Sequence, residues 1–89
     1  MRSAPRRAAK RDMNESAIVE ALRDAGYLVS EGGWICDLIV YDPNADRTHL
    51  LEVKAPKGRL TPLQEGAIEQ GWPIRVVRSV ADAFDALGN

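Results

Sequence analysis

The apolar positions of this chain change rhythm several times, from helical spacing to period-two alternation and back. Across residues 14–25, Ile18, Val19 and Leu22 repeat as one face of an amphipathic helix, with Asp12 or Asn14 placed to cap its start and Gly26 to end it. Residues 27–30 form a short β-prone piece, and Glu31-Gly32-Gly33 turns the chain. A second strand is predicted over residues 34–41. Asp42-Pro43-Asn44-Ala45-Asp46 is a dense turn signal leading into a third strand over 48–54, so these two strands should pair antiparallel. After the basic loop Lys57-Gly58-Arg59, Thr61-Pro62-Leu63-Gln64 opens a helix with Thr at the cap, Pro at its first position and Gln completing a capping box. That helix should end near Gly71. Residues 74–78 read as a fourth strand, and Ser79-Val80-Ala81-Asp82 caps a final helix whose Val80, Phe84 and Leu87 form one stripe.

The predicted order is therefore α-β-β-β-α-β-α, an α/β chain with a mixed four-stranded sheet. In the second strand Trp34, Cys36, Leu38 and Val40 fall on one side, with Ile35, Ile39 and Tyr41 on the other. Apolar residues on both sides imply a sheet covered by helices on both faces.

Eighty-nine residues allow one domain, small enough that oligomerisation would help to bury surface. The 45% hydrophobic and 28% charged content is ordinary for a folded protein. With no apolar run near the length of a membrane span and no apolar stretch behind the basic N-terminus, the expectation is a cytoplasmic protein without a membrane partner. The net charge of −1 hides an asymmetry, since five of the twelve basic residues, Arg2, Arg6, Arg7, Lys10 and Arg11, fall in the first eleven positions. Residues 12–89 hold seven basic against thirteen acidic residues, a net of −6. The division is a flexible basic arm over 1–12 and a single domain over 13–89. The arm reads either as a solubilising tail or as a set of phosphate contacts. An acidic body argues against a polyanionic partner, unless some carboxylates bind divalent cations and invert the local field.

One Cys and one His exclude a thiolate or imidazole zinc cage, so a metal would be held mainly by oxygen. Candidate oxygen ligands stand out by their phase. Asp37 shares a strand face with Ile35 and Ile39, where an unpaired carboxylate costs several kcal/mol and needs a cation or donors. Glu52 has the same problem beside Leu50, and Lys54 follows it on the same face, roughly 7 Å along the strand. Glu15 joins the stripe of Ile18, Val19 and Leu22, and Gln64 shares the inward side of the second helix with Ala67 and Ile68. Glu15, Asp37, Glu52, Lys54 and Gln64 are thus expected to converge. Clustered carboxylates favour Mg²⁺ or Mn²⁺, ions that activate water and neutralise charge on a phosphodiester, while Lys54 would orient water or stabilise the transition state.

Each residue also has a purely structural explanation. Glu15 in the first helical turn favours the macrodipole, Gln64 serves the capping box, Glu52 and Lys54 make a same-face ion pair, and Asp37 bonds the turn at Gly32-Gly33. His49 alternates away from Glu52, Trp34 and Trp72 read as packing residues, and Cys36 as a small core residue.

At these residues the chain resembles the PD-(D/E)XK nuclease superfamily, with an Asp on one strand and Glu-X-Lys on the next. Cys36-Asp37-Leu38-Ile39-Val40, Leu51-Glu52-Val53-Lys54, Gly58-Arg59-Leu60-Thr61-Pro62-Leu63-Gln64 and Val76-Val77-Arg78-Ser79-Val80 look like a stand-alone VRR-NUC (virus-type replication-repair nuclease) domain. The likeness runs from about residue 14 to residue 87. It implies a restriction-endonuclease-like fold, metal held by Glu15, Asp37, Glu52 and the Val53 carbonyl, a catalytic Lys54 and a supporting Gln64. It also implies a homodimeric DNA endonuclease acting on branched DNA such as four-way (Holliday) junctions in repair. Lys57, Arg59, Arg6, Arg7, Lys10 and Arg11 are the candidate nucleic-acid contacts. Cys36 stands where the family has Pro, and the segment before Asp37 is short where the family has a longer basic loop. The rival reading is a non-catalytic nucleic-acid-binding or assembly module on the same fold.

Overall fold

A computed structural model of the chain describes residues 13–32 and 36–88. Its elements are α1 (Met13–Asp24), β1 (Leu28–Glu31), β2 (Leu38–Asp42), β3 (Arg47–Val53), α2 (Pro62–Gln70), β4 (Ile74–Val77) and α3 (Val80–Ala86). The order agrees with the sequence pattern. The four strands form one mixed sheet in the order β1-β2-β3-β4, antiparallel between the first three and parallel between β3 and β4. A parallel pair needs a long crossover, which α2 supplies.

Local chemistry sets the boundaries. In the β2–β3 turn, Asp42 Oδ1 accepts from the amides of Asn44 at 2.9 Å and Ala45 at 3.2 Å, so the side chain satisfies amides that the ladder has released. Thr61 and Gln64 make the expected reciprocal capping box, and α2 ends at Gly71 with φ 110°, a left-handed position open to glycine without strain. Ser79 caps α3 by accepting from the Asp82 amide at 3.0 Å.

One boundary, and the side that Cys36 takes, differ from the sequence pattern for one reason. The second strand begins at Leu38, and the chain bends at Asp37, whose carboxylate Oδ2 accepts the Val53 N–H at 2.9 Å. A side chain has taken the place of a ladder partner. The bend breaks the period-two alternation, so Cys36 does not share a side with Leu38 and Val40. It packs instead with Ala67 and Ile74, against Leu50 and Ile68.

The two faces are unequal. On one, α1 and α3 cover Leu38, Val40, Leu51, Val53 and Val77 with Ile18, Val19, Leu22, Ala83, Ala86 and Leu87. On the other, α2 covers the Cys36, Ala67 and Ile74 cluster, while Leu28 and Ile39 stay exposed. At the free edge of β1, Arg23 from α1 donates to the Val29 carbonyl at 2.9 Å and pairs with Glu31 at 3.4 Å, which occupies a carbonyl that another strand would otherwise use. Among the described residues no helix is long and apolar enough to cross a membrane. The basic arm lies outside the described residues, as do Trp34 and Ile35.

Candidate active site

Glu52 sits on the thinly covered face, where strand register sets it beside Val76 of β4 and alternation gives it the side of Leu50. It is 2% exposed, the one buried polar or charged residue among those described. Its Oε2 accepts from Gln64 Nε2 and lies 3.3 Å from Lys54 Nζ. Its Oε1 is buried with no hydrogen-bond partner. A buried carboxylate oxygen without a donor is costly, and it asks for a proton or a cation. The carboxyl is pushed up to about 7, first by burial and then by the negative charge of Asp37, with Lys54 acting in the opposite direction.

Gln64 serves both roles that its position offered. Its Oε1 accepts the Thr61 N–H at 2.9 Å, and Thr61 Oγ1 accepts the Gln64 N–H at 3.2 Å. Because the capping box holds the oxygen end of the amide, the NH₂ end has to point at Glu52. The helix cap therefore orients the side chain that holds the buried acid.

Asp37 reaches the same place from the bend before β2. Its Oδ2 is engaged by the Val53 amide, and its backbone carbonyl accepts from Gly32 N–H at 2.7 Å, which ties the bend to the end of β1. Val53 takes part through its backbone, while its side chain lies in the core on the other face. Lys54 is largely buried, with 18% of its side chain exposed. Cys36 lies alongside and donates to the Leu38 carbonyl at 3.4 Å. Burial, then the charges of Glu52 and Asp37, push its thiol up, away from the thiolate that nucleophilic chemistry needs.

The sequence pattern expected Glu15 to join this cluster from the inward stripe of α1. Its stripe partners Ile18, Val19 and Leu22 pack on the opposite face of the sheet from Glu52. Among the described residues no three His, Cys, Asp or Glu side chains are grouped as a metal ion would need. Helical phase located the inward stripe of α1 correctly, but it carried no information on which face of the sheet α1 would cover. The residue of α1 that meets the strand end is Asn14, whose Nδ2 donates to the carbonyls of Lys54 at 3.2 Å and Arg78 at 3.0 Å. Sequence pattern offered Asn14 only as a cap, and gave Arg78 no role.

The donors that do come together are two carboxylates, Asp37 and Glu52. They fit a hard cation of the Mg²⁺ type, which keeps much of its water shell and binds through one or two carboxylates together with substrate phosphate. The orphaned Glu52 Oε1 is the observation behind that fit. Lys57 and Arg59 are exposed in the loop after Lys54, whereas Arg6, Arg7, Lys10 and Arg11 lie outside the described residues. Trp72 is 43% exposed and lines a shallow groove of about 250 Å³ with Pro62, Leu63, Gly66, Ala67 and Gln70, so it is less of a packing residue than its sequence position suggested. Comparison of the chain with family models, with curated proteins and with solved structures finds no match.

Proposed function

We propose that the chain is a metal-dependent DNA endonuclease, a PD-(D/E)XK-type phosphodiesterase of the VRR-NUC kind with a restriction-endonuclease-like core. One observation carries the reading. A buried glutamate with an unpartnered oxygen stands among a second carboxylate, a lysine and an oriented amide, on the face of the sheet that has least need of them for packing. The Lys54 ion pair and the Gln64 amide both fall on Oε2, which leaves Oε1 open to a proton or a cation.

In this reading Asp37 and Glu52 hold Mg²⁺ or Mn²⁺, with the Val53 carbonyl as the backbone ligand that the family resemblance adds. Glu15 is the third carboxylate that the resemblance adds. The ion supplies an activated water and neutralises charge on the phosphate oxygens. Gln64 keeps Glu52 aimed, and Asp37 keeps its own aim through the Val53 amide. Lys54 holds a positive charge where negative charge develops on the phosphorane-like transition state. Lys57 and Arg59 contact the flanking phosphates, so binding weakens steeply with salt. A homodimer acting on branched DNA, in a cytoplasmic setting, belongs to the same proposal.

The second reading is a nucleic-acid-binding or assembly module without catalysis. The net of −6 over residues 12–89 favours it, as does the lack of three grouped His, Cys, Asp or Glu side chains among the described residues. Labelled duplex, flapped and four-way-junction DNA, incubated with Mn²⁺ or with EDTA, separates the two. The endonuclease cuts at least one substrate with Mn²⁺, and Asp37→Asn and Lys54→Ala abolish the cutting. A wild type that cuts nothing, or variants that cut equally well, rejects it in favour of the module. Gel filtration reports the dimer.

A further inference from the structure

Lys54 directly follows β3 at the start of an irregular loop, and both of its peptide groups are held from outside the strand. Its N–H donates to the Val77 carbonyl at 3.0 Å, and its carbonyl accepts from Asn14 Nδ2 at 3.2 Å. The same Asn14 amide donates to the Arg78 carbonyl at 3.0 Å, so one side chain of α1 fastens the ends of β3 and β4 together. Asn is a weak helix former, and it does not cap α1 here. Its bonds span 40 and 64 positions of sequence and converge on the lysine of the site.

Arg78 holds the other side of that junction. Its Nη1 donates to the carbonyls of Ala55 at 2.7 Å and Gly58 at 2.9 Å, with Pro56 O at 3.4 Å, and its N–H is fixed by Asp82 Oδ2 at 3.0 Å. The loop closes tightly round the guanidinium. Gly58 N–H returns to Ala55 O at 2.9 Å, and a Cβ on Gly58 would stand 3.3 Å from the Ala55 nitrogen, so only glycine sits there without displacing backbone. With their carbonyls drawn inward, the loop residues leave Lys57 and Arg59 exposed.

We infer that Asn14 and Arg78 are positioning residues, which fix the Lys54 ammonium against Glu52 and present Lys57 and Arg59 outward. The purpose of this clamp rests on the nuclease reading, but its geometry does not. The Nη1 end of Arg78 is taken up by main-chain carbonyls, so it serves the loop itself. Removal of its side chain slackens the loop that follows Lys54, and removal of Asn14 slackens the junction of Lys54 with Arg78.

The test labels lysines of the full chain with a small acylating reagent and reads each site by mass spectrometry. The buried Cys36 thiol serves as gauge of global opening. In the wild type Lys54 reacts more slowly than Lys57. Asn14→Ala and Arg78→Ala raise the Lys54 rate relative to Lys57 by about tenfold, the scale of one lost hydrogen bond to a charged or desolvated group, while Cys36 stays closed. Arg78→Lys, which keeps a charge and fewer donors, falls between and serves if Arg78→Ala opens Cys36. An unchanged Lys54 to Lys57 ratio in variants with Cys36 closed overturns the clamp. On junction DNA with Mn²⁺, Asn14→Ala lowers kcat by about tenfold and leaves KM within about twofold, whereas a substrate contact would raise KM. A raised KM with unchanged kcat also overturns it. If the wild type cuts nothing, the nuclease reading falls, and the labelling ratio still decides whether the clamp exists.

Discussion

Among the described residues, one face of the sheet gathers eleven buried apolar residues into a single cluster with α1 and α3, and the other gathers three with α2. The first face does the stabilising, at roughly 25 cal/mol per Å² of apolar surface removed from water. The second holds the residues that packing does not explain: Asp37, Glu52, Lys54 and Gln64. Had the charged cluster stood on the thicker face, it would have interrupted the core. Placing it beneath one short helix confines the cost of a buried carboxylate to a region where little apolar burial is lost.

The largest test of this division compares neighbours on β3. Leu51 is fully buried on the thick face and Leu50 half-buried on the thin one. Leu51→Ala should lower the urea-measured stability by about 3 to 4 kcal/mol and Leu50→Ala by about 1 kcal/mol. Equal losses would remove the distinction between the faces.

A second experiment uses pH. The Glu52 carboxyl titrates near 7 when folded and near 4.5 as its reference value, because burial and Asp37 disfavour its charged form. A raised carboxyl pKa means that the native state binds more protons than the unfolded chain in that interval. Its contribution is fully present below pH 4.5 and is lost as pH rises through 7, by on the order of 3 kcal/mol. Denaturation midpoints should therefore fall between pH 5 and 8 in the wild type and change less in Glu52→Gln. Millimolar Mn²⁺ at pH 8 should restore the wild-type melting temperature and leave Asp37→Asn and Glu52→Gln unmoved, since only an ion that binds the native site stabilises it. Mn²⁺ that raises all three alike would point to binding elsewhere.

The smallest effect links the helix cap to the site. Thr61→Ala removes an N-cap acceptor and should cost about 1 kcal/mol. If the capping box orients Gln64, the substitution also lowers any Mn²⁺-supported cleavage by more than its stability loss explains. Cleavage that tracks the folded fraction alone would show that the Thr61 N–H, which alanine keeps, is enough to aim Gln64.

Much of the site was legible in period and phase. Alternation along the strands put Asp37 and Glu52 on apolar faces where a carboxylate is expensive, and the Thr61-Pro62-Leu63-Gln64 run announced both the cap and the amide behind it. The face of the sheet that α1 covers was not legible. Helical phase says which residues share a stripe, and Glu15 does share one with Ile18 and Leu22, but the stripe faces the sheet from the side away from Glu52. Cys36 escaped for a related reason, since alternation assumes an unbroken strand and the Asp37 carboxylate had replaced a ladder bond.

Sequence by itself determined the seven elements, their order, the antiparallel hairpin closed by Asp42 and the caps at Thr61 and Ser79, because these depend on residues a few positions apart. It also determined that Glu52 and Lys54 would share a strand face. Tertiary structure alone decided that α1 and α3 lie on one face and α2 on the other, and that Glu52 keeps one oxygen without a partner. It alone brought Asn14 to Lys54 and Arg78 to the loop carbonyls. Those contacts join residues 20 to 64 positions apart, and no local pattern encodes which of several polar side chains will find a particular carbonyl once the sheet has closed.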